Sequence, residues 1–123
     1  PETLIFGLRT LTEDCLIGLI LLDEIDWLNG VAWVAIGIGE REYWGKGYGA
    51  DAMRLILRYA FDALHLHKVI LDVFEYNQRA YRCYLKAGFI EEGRARDFLN
   101  RDGRRWDLIY MGALREEWLA SFS

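Results

Sequence analysis

Three glycines separated by single residues, Gly45, Gly47 and Gly49, lie within Trp44-Gly45-Lys46-Gly47-Tyr48-Gly49, just ahead of the longest helical pattern in the chain. A helix start leaves backbone N–H groups unpaired and carries partial positive charge. Glycine lets that backbone close tightly on a phosphate, and a pyrophosphate is the natural ligand for such a turn. A plain glycine-rich connection would read the same way. Two better-known nucleotide patterns fit poorly. The Walker loop needs four residues between its glycines and then Gly-Lys-Ser/Thr, and the dinucleotide fingerprint needs G-x-G-x-x-G, whereas the run here is G-x-G-x-G followed by Ala50 and Asp51.

Other reactive side chains are sparse. His65 and His67 stand in Leu64-His65-Leu66-His67-Lys68 with no carboxylate or thiol beside them, a poor metal site, and no metal is expected. Cys15 and Cys83 are far apart, without metal or redox spacing, and read as buried thiols of a reducing cytosol. The net charge of −4 argues against a nucleic-acid partner and agrees weakly with a cationic or amine substrate. No run has transmembrane length and no signal peptide is seen, so a cytoplasmic protein without a membrane partner is expected.

These residues need a framework. The 123 residues, 53% of them apolar, allow one domain with a real core. Leu4–Leu11, Cys15–Leu22 and Val31–Ile38 read as strands, with a hairpin-turn signal at Asn29-Gly30. Gly47–Leu64 is the clearest helix. Ala50, Met53, Leu57, Ala60 and Leu64 share one face beside a charged stripe of Asp51, Arg54, Arg58 and Asp62, in which Arg58 and Asp62 are spaced to pair. Val69–Tyr76 is a strand, Asn77 caps a helix over Gln78–Ala87, and Gly88 stops it. Phe89–Leu99 and Arg104–Leu114 form a final hairpin, and Arg115–Leu119 adds a helical turn. The order β-β-β-α-β-α-β-β predicts a mixed α/β sheet, mostly antiparallel, with one parallel crossover and a C-terminal hairpin.

A second signature follows the first: Asn77-Gln78-Arg79-Ala80-Tyr81-Arg82-Cys83-Tyr84-Leu85-Lys86-Ala87-Gly88-Phe89. As residues alone, Asn77 is a helix cap and Tyr84 a helix aromatic in step with Ala80 and Ala87. The pattern N-x-x-A-x-x-x-Y-x-x-x-G-F nevertheless resembles the fourth-helix segment of the GNAT superfamily of N-acetyltransferases, and YWGKGYGADA resembles its pyrophosphate loop. The ending DGRRWDLIYMGALREEW resembles the branch that acetylates protein N-termini and polyamines, the RimJ/RimL and spermidine-acetyltransferase group.

The resemblance implies acetyl transfer from acetyl-CoA to a primary amine. It implies that the backbone at Ile36, Gly37 and Ile38 pairs with the pantetheine arm, and that Val69–Glu75 splays away to leave a slot. The N–H groups of Trp44, Gly45, Lys46, Gly47, Tyr48 and Gly49 would hold the pyrophosphate. Asn77, with Ala80 beside it, would contact the CoA arm, and Tyr84 would protonate the departing thiolate, as a phenol neutral at physiological pH can. Lys46 and Arg79 are further candidates for the CoA phosphates.

Two positions depart from the family pattern. Trp44 stands where Gln or Arg is common, and Trp33 aligns where relatives often place a Glu that can serve as base. The base is therefore open among Glu24, Asp26, Asp72, Glu75 and a chain of water. An aminoglycoside-type acetyltransferase and a non-catalytic CoA-binding module are the competing readings. Asn77 and Tyr84 together argue against the module, and the loss of the Glu argues mildly for it. The chain opens Pro1-Glu2-Thr3 without Met, and a piece lacking the family's first strand and helices is expected. Phe98, Trp106, Tyr110 and Trp118 predict an apolar patch, and with it a homodimer.

Overall fold

A computed structural model describes residues 2–9, 16–39 and 47–121. Six strands form one sheet in the order β1-β2-β3-β4-β6-β5. They are β1 (Glu2–Arg9), β2 (Leu16–Asp26), β3 (Val31–Ile38), β4 (Lys68–Phe74), β5 (Ile90–Arg101) and β6 (Arg104–Leu114). Every neighbouring pair is antiparallel except β3 and β4, so the expected mixed, mostly antiparallel α/β sheet is found. The helices are α1 (Tyr48–Arg58), α2 (Gln78–Ala87) and α3 (Arg115–Ala120).

Strand alternation decides which face is dry. Val69, Leu71 and Val73 of β4 are buried, as are Ala32 and Val34 of β3 and Ile20 and Leu22 of β2. They share one core cluster with Met53, Ile56 and Leu57 of α1 and with Phe61, Phe89, Ile109 and Met111. Asp72 and Phe74, at the alternate positions of β4, are exposed, and Trp33 on β3 is half-buried.

The parallel pairing begins at a turn. Gly30, at φ 69°, receives the N–H groups of both His67 and Lys68 on its carbonyl, at 2.7 and 3.0 Å. Those bonds start β3 alongside β4, and the antiparallel β2–β3 pair turns at Asn29-Gly30 as its hairpin signal predicts. The last hairpin turns at Asp102-Gly103, both with positive φ, the backbone twist that suits two-residue hairpins.

Three expectations shift. The long helix does not run regularly to Leu64. After Arg58 it widens into a π-helical turn, Tyr59–Ala63, with Leu64 N–H bonded to the Tyr59 carbonyl at 3.1 Å. The wider turn buries both Ala60 and Phe61. It also changes the angular step between Arg58 and Asp62, which do not pair; the ion pair on this helix is Asp51–Arg54 at 3.0 Å. β2 runs on through Asp23-Glu24-Ile25-Asp26, because Ile25 is buried while its charged neighbours face water. Cys83 is half-buried rather than buried, and Cys15 lies outside the described residues.

Candidate functional site

β3 and β4 pair over only three positions, Val31↔Lys68, Ala32↔Val69 and Trp33↔Ile70. Beyond Trp33, β3 continues to Ile38 on β2 alone, and beyond Ile70, β4 continues to Phe74 on β6 alone. Between them the sheet opens, and one edge of the Val34–Ile38 backbone has no strand beside it among the described residues.

α2 lies across this opening. Its start is fixed by Asn77, whose Oδ1 accepts from the Ala80 N–H at 3.2 Å, and its end by Gly88 at φ 111°. These local caps hold Asn77, Ala80 and Tyr84 on the helix. A cavity of about 220 Å³ is lined by Ile36, Gly37 and Ile38 from β3, Gly49 from α1, and Asn77, Arg79, Ala80, Cys83 and Tyr84 from α2. Two segments predicted from separate motifs thus face one space.

A second cavity, about 430 Å³, shares Ile38, Gly49, Arg79 and Cys83 with the first and continues to the N-terminus of α1. Gly47 caps that helix at φ 86°, a conformation that favours glycine, and Gly47, Arg54, Arg79, Arg82 and Lys86 line the walls. The N-terminus of α1 and the cations Arg54, Arg79, Arg82 and Lys86 face one cleft with a single carboxylate, Asp51, which Arg54 binds at 3.0 Å; the excess of positive charge suits an anion. Tyr48 opens α1 and is half-buried; Trp44, Gly45 and Lys46 lie outside the described residues. Sequence reasoning passed over Arg82 and Lys86. Their spacing with Arg79 on α2 was the available signal. A larger cavity, about 730 Å³, lies between α1, the end of α2, the end of β6 and α3; it takes in Lys86, Ala87 and Gly88 but none of Ile36–Ile38, Gly47, Gly49, Asn77, Ala80 and Tyr84.

Tyr84 is the strongly perturbed group here. Burial, then the neighbouring Cys83 thiol and the charge of Asp72, push its phenol up to about 12, while Arg79 pulls the other way. The proton is therefore secure at neutral pH, although a higher pKa also makes a weaker donor. The four candidate carboxylates separate clearly. Asp26 accepts from the backbone and side chain of Asn29, at 3.0 and 2.7 Å, and these bonds hold it below the usual carboxylate range. Glu24 lies with it beside the hairpin turn, at the closed end where β3 and β4 still pair. Glu75 uses one oxygen on the Asp107 N–H at 2.8 Å and the other on Arg94 at 3.5 Å. Asp72 sits on the splayed part of β4, is exposed, and has no hydrogen-bond or ion-pair partner among the described residues. It alone of the four raises the Tyr84 pKa.

Trp33 marks the last pair before the opening, and its ring meets Tyr110 edge-to-face, centroids 6.4 Å apart. Trp118 packs on Phe61, centroids 5.5 Å apart, so it covers its own chain. Phe98 remains exposed.

Residues 2–90 match the family model described as the acetyltransferase (GNAT) domain. The chain belongs to this family. A Bacillus subtilis protein named as a candidate ribosomal N-acetyltransferase, YdaF, is 35% identical over 108 residues, 88% of this chain and 58% of its own length. The spermidine N(1)-acetyltransferase of Vibrio cholerae is 35% identical over 114 residues, 90% of this chain and 65% of its own. The Vibrio cholerae spermidine N-acetyltransferase solved with CoA and spermine superposes with a TM-score of 0.85 at 32% identity, covering 95% of this chain and 68% of that one. This GNAT chain spans about three-fifths of the length of the curated relatives it matches.

Proposed function

We propose that this GNAT chain binds acetyl-CoA and transfers the acetyl group to a primary amine. The observation that carries the reading is the loss of β3–β4 pairing after Trp33 and Ile70, beside a cavity faced by Ile36–Ile38 and by Asn77, Ala80 and Tyr84. The free edge of β3 offers alternating N–H and C=O groups to an extended amide-bearing arm, as an added strand would. Oδ1 of Asn77 is spent on the helix cap, which leaves its amide N–H group for the same arm. The diphosphate belongs in the second cavity, on the α1 N-terminus with Arg79, Arg82 and Lys86 around it. Gly45 and Lys46 join this reading from sequence alone.

The reaction forms an N–C bond while the C–S bond breaks; the ammonium nitrogen gives up two protons, one before attack and one as the amide forms, while the sulfur gains one and one is released to solvent. Tyr84 holds a proton at the α2 side of the opening and is the residue placed to give it up. Asp72, on the splayed stretch of β4 with both oxygens unengaged, is the carboxylate placed to receive one. Direct attack without an acyl-enzyme follows from this division of roles.

Two relatives carry spermidine in their names, which makes a polyamine the first acceptor to try and a protein N-terminus the second. The reading also places the protein in the cytoplasm, where acetyl-CoA is available. A homodimer through the exposed apolar residues of β5, Phe98 and Ile90, belongs to the same proposal. The decisive experiment follows acetyl-CoA consumption with a panel of polyamines, N-terminal peptides and aminoglycosides. Turnover with an amine is the expected result. Tight CoA binding without turnover of any acceptor would make the chain a binding module.

A further inference from the structure

α2 carries Asn77 at its start and Tyr84 in its middle, yet only Ala87 of this helix is fully buried. Ala80, Tyr81 and Tyr84 are partly buried against the core. Apolar packing by itself leaves such a helix free to slide or roll by fractions of an ångström. A polar constraint is added from β5, beyond the bond that Arg54 Nη2 of α1 gives the Lys86 carbonyl at 3.4 Å.

Arg94 on β5 grips both oxygens of Glu91, from Nε at 3.0 Å and from Nη2 at 3.2 Å. Its Nη1 reaches Glu75 and Asp107, each at 3.5 Å. Glu91 in turn accepts from the Tyr81 hydroxyl at 3.0 Å, and Glu75 accepts from the Asp107 N–H at 2.8 Å. One guanidinium thereby ties four elements: α2 through Tyr81, β5 through Glu91, β6 through Asp107, and the β4–α2 turn through Glu75. Glu75 stands two residues before Asn77, and Tyr81 three residues before Tyr84.

We infer that Arg94 and Tyr81 are positioning residues that fix where α2 presents Asn77 and Tyr84. The inference rests on the acetyl-transfer reading for its catalytic consequence, though not for the strut itself. A lone half-exposed ion pair contributes little. Here, however, a planar fork makes a bidentate contact and three carboxylates converge on one cation, a network whose loss leaves like charges facing each other. Asp107 is additionally bound through its other oxygen to the N–H of Asp97, so the far end of the strut is anchored as well.

The test uses the full chain with Arg94→Met, Arg94→Lys and Tyr81→Phe, and takes two readouts. The first is amide hydrogen exchange along α2, which is measurable whether or not the chain turns over. Arg94→Met and Tyr81→Phe should speed exchange in residues 78–87 and leave α1 unchanged. The second is steady-state kinetics. Arg94→Met should lower kcat by about ten- to a hundredfold, the scale of misplacing a catalytic group by about an ångström. Arg94→Lys, which keeps the charge without the fork, should recover part of that loss, and Arg94→Met combined with Tyr84→Phe should lose little more than Tyr84→Phe alone. Unchanged α2 exchange in Tyr81→Phe, a mild variant that keeps its ring, overturns the strut. Losses that multiply in the double variant overturn its action through Tyr84. If the parent chain acetylates nothing while the exchange response holds, it is the acetyl-transfer reading that fails and the strut that stands.

Discussion

The sulfur of Cys83 on α2 lies 3.1 Å from the point where a β-carbon on Gly49 would sit. The two helices that line both cavities therefore meet at a position where one of them has no side chain. Gly49→Val should destabilise the protein by about 1–3 kcal/mol through overpacking. Cys83→Ala in the same background should return most of that loss. Denaturation midpoints of the two variants measure the effect, and absence of rescue would mean that the contact does not set the helix spacing.

Tyr84→Phe should lower kcat roughly ten- to a thousandfold while the KM for acetyl-CoA stays put, since the ring is kept and only the proton-bearing hydroxyl is removed. The same residue gives a prediction for stability against pH. Its folded-state pKa of about 12 lies above the ordinary value of 10.0, so the folded chain keeps a proton that the unfolded chain releases. The contribution is fully present below the unfolded pKa and is lost as pH rises through about 12. Unfolding curves taken across that window should fall more steeply for the parent chain than for Tyr84→Phe.

Asp72→Asn should reduce kcat/KM by about a hundredfold or more at neutral pH, the usual span for a general base. Asp26→Asn should leave turnover unchanged, because Asp26 is engaged in its turn. A full rate in Asp72→Asn would assign the proton to water instead.

Gly47→Asp should weaken CoA binding about tenfold or more by calorimetry, with the fold retained. Among the described residues no atom beyond its chain neighbours lies within 4 Å of a β-carbon placed there. A carboxylate would occupy the helix-start N–H groups that an anion needs. Gly47→Ala separates out the backbone part, about 1–2 kcal/mol for an L-residue held at positive φ.

How much of this was legible in sequence depends on range. α2 was readable to the residue because Asn77 and Gly88 cap it through bonds reaching only a few positions along the chain. The β5–β6 turn was readable for the same reason. The π-helical turn was not, since burying both Ala60 and Phe61 is decided by the sheet beneath them. The charged end of β2 hid a strand that breaks register between Asp23 and Asp26 before Asp26 pairs with Val31 of β3, with Ile25 buried and paired to Glu2 of β1. At the site, both motifs were visible, but the ranking of the four carboxylates was not. Glu75 is set apart by Arg94 and Asp107, residues 19 and 32 positions away that only strand register brings near.

The gap between β3 and β4 places a sheet edge at the centre of the molecule rather than at its rim. Edges are where β-proteins are sticky, and most are guarded with charge, brevity or a bulge because any passing strand can dock there. This one is walled by α2 on one side and held by three residue pairs at its closed end, leaving a slot of about 220 Å³ that suits a thin, flexible arm. The two half-sheets, β1-β2-β3 and β4-β6-β5, are joined by little more than those pairs and by helices packed over the seam. Whatever threads the seam would lock the halves together, so occupancy should register as a rise in melting temperature that follows ligand concentration.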